Sequence, residues 1–526
     1  MLKMVDGTGI IGLDMVCPLG GAVSPPQPPN FDKVEVEGGG SLMLPNSLKA
    51  PLERLELLGN SVQGENPAPD NPQEIKNAGR KSKNIFDINY FKDKSNLKML
   101  QCEDFTLLGI ICNVKPNTNY TLSANLTEAR YNLNIANKTQ RFSLTSSPAR
   151  TLMSNDDGTL YIGFYGATAD NVNMDDFMRQ YQNIQLEEGT IATDYEPYGY
   201  FFDVKITGKN LLSNKPADWQ IGKRISWSGY PEGAITIYPV IKNAVNVISL
   251  KPLTAYSIIN NSGGIVINRI VERGSSENGI KDHGVRSNQY TFVTNRNTMS
   301  AILQFEKVDG TELLSSDIES IKIMLVEGEA DENTPYEPYA EQTMQIALDE
   351  PLRGVGEYKD VFTKDGIVRK IAPYEVNLND LRDGGYEKTN TVMFSVKVQN
   401  KTVGYASSKP SILCNILPDC ALQMSNVYNN DKECIAVGGG IVLFRVNKSR
   451  LKDISSFEAI KQSFIELMEG KKMLVEYALE TPVTEPLPES VQQQLQALHS
   501  ENGVTHVFVD SGEVPCGIKL TYRKEK

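Results

Sequence analysis

Apolar and polar residues alternate at every second position in short runs along most of this chain, for example in "YTLSANL", "TLYIGFYG", "AITIYPVI" and "QYTFVTN". A run of this period turns one face of a strand to a core and the other to solvent. The Asn, Gly, Pro and Asp clusters between the runs are turn formers. The pattern predicts antiparallel β-sandwiches, and it repeats. "KNIFD" at Lys83 returns as "KNLLSN" at Lys209, "VKPNTNYTLSAN" as "LKPLTAYSIINN", and "IQLEEGTIATDYEPYGY" as "IMLVEGEADENTPYEPYAE". The offsets grow slowly: 126 residues from Lys83 to Lys209, 136 from Lys115 to Lys251, and 139 from Glu188 to Glu327. Ordered matches with growing offsets describe a duplicated domain of about 120–140 residues whose extra residues sit in loops.

The two ends of the chain read differently. Residues 1–80 contain "GGAVSPPQPPNFDKVEVEGGGS" and "GENPAPDNPQE", which resist packing, around one strand-like stretch at Leu55, Leu57 and Leu58. They predict an extended attachment arm that orders only against a neighbouring subunit. In the last third, Phe457, Ile460, Phe464 and Leu467/Met468 fall at helical spacing, with Ser455 or Ser456 to cap the start and Gly470 to close the end. A second helix is expected in "ESVQQQLQALHS" after Pro488. The expected fold is mainly β, with tandem jelly-roll-like sandwich modules over 81–202 and 203–342 following the arm at 1–80. A C-terminal β domain with helical insertions is expected over 343–526. A worn third copy of the closing phrase, "MLVEYALETPVTEPLPES" at 473–490, ties that last domain to the other two.

Strand parity gives the repeated phrase a physical content. Ile184 and Leu186 share a face with Glu188, as Ile323 and Leu325 do with Glu327, and Leu474 with Glu476. A carboxylate therefore stands at the end of an apolar face, buried at a strand end, and needs backbone N–H groups, a basic side chain or a cation. A second glutamate recurs before proline, at Glu196, Glu337 and Glu485. An acid and a nucleophile for glycoside hydrolysis would be two carboxylates, but such a pair is needed once, whereas a turn-locking device is needed in every copy. All six are expected to be structural carboxylates, with structural calcium as the alternative partner.

Composition narrows the function further. Hydrophobic residues at 40% and charged residues at 22% suit packed cores. A net charge of −12 without a Lys/Arg cluster argues against nucleic acid and anionic lipid as partners. Three histidines and seven cysteines without a CxxC pair provide no zinc site, and no catalytic motif or phosphate loop is present. The cysteines are expected as isolated buried thiols, with a Cys102–Cys112 disulfide as the alternative. No signal peptide or membrane span is expected, so export would follow another route. For sugar recognition, the best aromatic and polar cluster is Trp219, Trp227 and Tyr230 near Asp218 and Arg224. The competing reading puts one or both tryptophans in the core of the second sandwich.

Four stretches together resemble a known family. "LELLGNSVQGENPAPDNPQEIKNAG", "NIQLEEGTIATDYEPY", "EPLRGVGEYKDVFTKDGIVRKI" and "VEYALETPVTEPLPESVQQQLQALHSENGVTHVF" are similar to minor tail and baseplate proteins of phages and prophages of Gram-positive bacteria. Residues 1–50 match nothing in that family. The resemblance implies a non-enzymatic virion component of the tail tip, made in the host cytoplasm and needing no cofactor. It further implies a homo-oligomer, with a trimer expected, bound to other tail proteins and presenting carbohydrate-binding-like sandwiches to host surface polysaccharide. The alternative is a secreted carbohydrate-active enzyme or wall glycosidase with accessory binding modules.

Overall fold

A computed structural model describes residues 31–128, 130–221, 243–274, 279–385, 387–403, 410–419 and 424–526. The chain is mainly β, built from sandwiches and one large mixed-order sheet. Module 1 faces a five-stranded sheet against a three-stranded one. The five strands lie in the order Arg141–Ser143, Leu133–Ala136, Thr159–Tyr165, Thr106–Asn113, Lys98–Gln101. The three are Ala149–Met153, Asn119–Leu126 and Tyr181–Glu188. Between them lies a core that includes Leu108, Ile110, Leu122, Ile135, Ile162, Phe164 and Leu186.

Module 2 repeats this topology strand for strand. Trp219–Ile221, Asn243–Ser249, Ser300–Lys307, Ile265–Arg273 and Gly279–Ser287 form its five-stranded sheet, and Gln289–Val293, Ala255–Asn260 and Ile323–Glu327 its three-stranded one. A short helix precedes the closing strand in both modules, Met174–Gln180 in the first and Ser315–Glu319 in the second.

The stretch expected to wait for a neighbouring subunit instead folds on its own chain as far as it is described. Phe31–Gly39 pairs along its whole length with Gly517–Glu525, and Arg54–Leu58 pairs with the other edge of that C-terminal strand. Leu55 and Leu57 are buried there. These strands belong to a twelve-stranded sheet that also takes in Tyr200–Thr207, Glu341–Leu348, Gly366–Glu375, Leu474–Glu485 and Gly503–Asp510. The expected boundaries at 202/203 and 342/343 thus fall inside strands of this scaffold. Each module is an excursion from it. Module 1 leaves after Lys81 and returns at Tyr200, its register partner; module 2 leaves after Thr207 and returns at Glu341, again its partner.

The C-terminal lobe packs a four-stranded sheet, Arg382–Asp383, Thr391–Lys397, Ile441–Asn447 and Cys434–Gly438, against the helix Phe457–Leu467. Ser456 caps that helix, its hydroxyl accepting from Ala459 N at 3.2 Å, and Glu489–Ala497 forms the second helix. Cys102, Cys112, Cys414 and Cys516 are free and buried, whereas Cys434 is disulfide-bonded, a departure from the expected isolated thiols. No helix among the described residues is long and apolar enough to cross a membrane.

Candidate functional site

The recurring phrase fastens each closing strand. In module 1, Asn84 Nδ2 donates to Ile184 O at 3.1 Å while its Oδ1 accepts from Leu186 N at 3.0 Å. In module 2, Asn210 makes the same clasp on Ile323 O and Leu325 N, at 3.3 and 3.2 Å. Asn415 makes it a third time on Lys472 O and Leu474 N, at 2.8 Å each. This third clasp was legible as "CNIL" beside "KNIF" and "KNLL", but the sequence reading passed over it.

Two residues beyond each clasp stands the glutamate. Glu188 and Glu327 end their strands, and each pairs with the lysine of the repeated Lys-Pro: Lys115 Nζ is 2.8 Å from Glu188, and Lys251 Nζ is 2.9 and 3.1 Å from the two Glu327 oxygens. Burial differs between them. The Glu327 side chain is 13% exposed, but that of Glu188 is 49% exposed, which corrects the expectation of burial there. The buried carboxylate of module 1 is its neighbour Glu187, which accepts from Thr193 N at 2.9 Å, from Thr193 Oγ1 at 2.6 Å and from Gln185 Nε2 at 2.6 Å. Burial pushes the Glu187 carboxyl up, but these three donors outweigh it and hold the group below the usual carboxylate range.

A glycine follows Glu188 and Glu327, and φ of 127° at Gly189 and 98° at Gly328 turns the chain off the sheet. Tyr477 stands at that place in the third copy, so Leu474–Glu485 runs on as a strand. Glu476 therefore lies inside the scaffold sheet, on the face opposite Val475 and Tyr477, which pack in the lobe core. It accepts from Ser61 Oγ and Asn77 Nδ2, both at 2.8 Å, with Arg353 Nε at 3.3 Å. Burial raises its pKa despite these partners.

The second glutamates each meet a basic side chain. Glu196 accepts from Arg80 Nη1 at 2.8 Å and Lys83 N at 2.9 Å, Glu337 lies 3.3 Å from Lys209 Nζ, and Glu485 accepts from Arg369 Nε at 3.0 Å. Among the described residues no three His, Cys, Asp or Glu side chains gather as a metal set.

The expected sugar cluster does not form as read. Trp219 is 5% exposed, donates from its indole N–H to Ser213 O at 2.8 Å and packs 5.0 Å from Phe305, so it fills the second core. A platform tryptophan would need an open ring face. Asp218 is exposed on the turn Pro216–Asp218, while Trp227, Tyr230 and Arg224 lie outside the described residues.

A different surface carries the features sought there: the outer face of the five-stranded sheet of module 1. One row of register partners crosses all five strands, Lys98, Gly109, Gly163, Asn134 and Ser143. Gly109 and Gly163 are direct partners, and a Cβ on Gly109 would lie 2.1 Å from Ile162 O, so the two strands pinch together. Both glycines and Asn134 are buried, and beside them Leu100, Cys102, Leu107, Ala136 and Tyr161 pack as a small cluster. The rows on either side supply Tyr165, Tyr161 and Ile111, with Tyr165 40% and Ile111 50% exposed. Arg141 reaches along the face, its Nη1 donating to Asn134 Oδ1 at 3.3 Å and its guanidinium centred 3.5 Å over the Tyr165 ring. The repeat in "TLYIGFYG" and "AILQFEK" marks this surface in the sequence, because the inward Leu160, Ile162 and Phe164 keep their apolar counterparts while the outward residues change.

The fold defines a mainly β, multi-sandwich protein. No family model matches the chain, and none of the curated proteins matches it. Among solved structures, it is compared with the "Structure of infectious bursal disease virus Gx strain" at 7% identity, covering 96% of this chain and 83% of that one. The TM-score of 0.11 is too low for that likeness to bear on fold or function.

Proposed function

We propose that the chain is a non-enzymatic virion protein of a phage tail tip or baseplate that holds its sandwiches toward the surface polysaccharide of a Gram-positive host. The observation that carries the glycan part of this reading is the module 1 face: the exposed Tyr165 ring and Ile111 carbons beside the Arg141 guanidinium, which Asn134 and Tyr165 hold in place. A sugar has the same mixed character, an apolar C–H face edged with hydroxyls, and sites that take small polar ligands combine such surfaces with a few placed polar groups. The tail assignment rests on the four resembling stretches. In this reading the chain works as a homo-oligomer, a trimer, with other tail proteins as partners and the virion tail as its place. It inserts in no membrane and binds no nucleic acid. Multivalent display turns weak single-site glycan binding into firm attachment.

The recurrent glutamates favour binding over hydrolysis, since each is held by a lysine, an arginine or backbone N–H groups. The testing experiment incubates the full-length protein with Gram-positive cell walls, intact or stripped of their accessory polysaccharide. Saturable binding to intact walls only, with no released reducing ends, is expected. Turnover that disappears in Glu327→Gln would establish the glycosidase alternative, and absence of any wall binding would defeat the reading. Chelator should leave the melting temperature unchanged; a drop would put calcium at the carboxylates.

A further inference from the structure

We infer that the outer face of module 1 takes an anionic oligosaccharide, Arg141 and Lys98 receiving its phosphate or carboxylate groups while Tyr165 and Ile111 carry the apolar faces of separate sugars along it; this rests on reading the chain as a glycan binder. The charge pattern leads to it. The chain has a net charge of −12, yet none of the five strands of this sheet contains an aspartate or glutamate. Two cations remain on the face without a carboxylate among the described residues. Lys98 is exposed directly across from Gly109, and Arg141 is engaged only by an amide oxygen and aromatic rings. A guanidinium held over the tyrosine ring, with one N–H fixed by Asn134, keeps its remaining donors for the oxygens of a carboxylate or phosphate. The nearest acidic groups in sequence gather around Lys138: Glu103, in the turn with Asp104 before Phe105, donates its N–H to Lys138 O at 3.0 Å, and Asp156 and Asp157 bind the Lys138 ammonium.

Module 2 serves as the internal control. Ile302, Gln304 and Glu306 stand where module 1 has Tyr161, Gly163 and Tyr165, and three of its five strands carry acidic residues. Its outward Arg269 is already bound by Asp282, at 2.6 Å. The same scaffold has thus neutralised its own cation in one copy and left two uncommitted in the other. A structural role alone would not require that difference, because both copies keep the same inward core.

The test measures binding of the full-length protein to three immobilised polymers: poly(glycerol phosphate), polygalacturonate and neutral dextran. Binding is expected to at least one of the two anionic polymers and to weaken as salt rises; comparing them decides between phosphate and carboxylate. Arg141→Gln should lower affinity at least tenfold with an unchanged melting temperature, Lys98→Gln and Tyr165→Ala several-fold, and Arg269→Gln not at all. Dextran binding equal to that of the anionic polymers, or full affinity in Arg141→Gln, overturns the inference. If intact host walls still bind in that case, the glycan-binding reading survives without this site; if wild type binds neither walls nor polymers, both fall.

Discussion

Modules 1 and 2 have the same topology, clasp and Lys–Glu fastening, yet they differ at many positions where a side chain points away from the core. At the loop end, Asn117 of module 1 becomes Leu253, and Gly158 becomes Met299: Val114 N donates to Gly158 O and Leu250 N to Met299 O in the corresponding places. Module 2 turns this apolar end toward the scaffold, across a cleft of about 770 Å³ lined by Leu250, Pro252, Met299, Phe508 and Pro515. There Glu327 comes within 3.6 Å of the buried His506. In module 1 the counterpart Glu188 meets only Lys115 and is half exposed. Repetition therefore marks what holds a sandwich shut, and divergence marks what each copy meets.

The largest test of that division removes the clasp. Asn84→Ala and Asn210→Ala should each cost about 3 kcal/mol, because several buried backbone groups lose their partner at once. Denaturation followed by a probe in each module should show similar losses; a large loss in one copy and none in the other would break the equivalence.

Acid separates the copies in a different way, since module 1 contains no histidine. Burial, with the nearby Lys251 charge, lowers the His506 pKa from 6.5 to about 4. The folded value lies below the unfolded one, so its stabilising share is whole above pH 6.5 and is lost as pH falls toward 4, about 3 kcal/mol in all. Calorimetry between pH 7 and 4.5 should show the transition of module 2 and the scaffold falling while that of module 1 holds. His506→Gln should remove this dependence; an unchanged acid response in that variant would place its origin elsewhere.

The fastening itself should be graded by burial. Glu327→Ala should cost roughly 1–3 kcal/mol, and Glu188→Ala, on an exposed pair, under about 1 kcal/mol. Equal losses in the two melting curves would contradict the difference in exposure. Smallest is Leu253→Asn, which places the module 1 residue at a left-handed φ of 51°. It should raise stability by about 1 kcal/mol or less, and a fall on thermal melting would mean that the Leu253 side chain is held by a contact.

Local pattern in the sequence carried the strands, the capped helix at Phe457–Leu467 and the duplication, because each depends on neighbours within a few residues. The scaffold sheet was hidden. Its pairing of Phe31–Gly39 with Gly517–Glu525 joins opposite ends of the chain, and proline and glycine nearby made the first strand resemble a loose arm. Parity correctly grouped Ile184, Leu186 and Glu188, but it could not show that the 190–196 loop folds back and buries Gln185 and Glu187 on the opposite face. Trp219 follows the competing reading that put a tryptophan in the second core, since an aromatic beside polar residues in sequence can still point inward. The module 1 face escaped because its parts come from five strands and meet only in register.

The two-point suspension of each module determines how the molecule bears a pull. A load applied at the outer face of module 1 reaches the scaffold through Lys81 and Tyr200 together, and these are adjacent partners in the same sheet. From Tyr200 the tension passes along a strand paired with Glu341–Leu348 on one side and with Gly503–Asp510 on the other. Pulling along such a strand must shear several cross-strand hydrogen bonds at once instead of peeling them singly. Module 2 hangs from Thr207 and Glu341, at the far end of that strand and of its partner. Tethering through module 1 therefore loads the scaffold strand and its cross-strand hydrogen bonds before any tension reaches the docked second module.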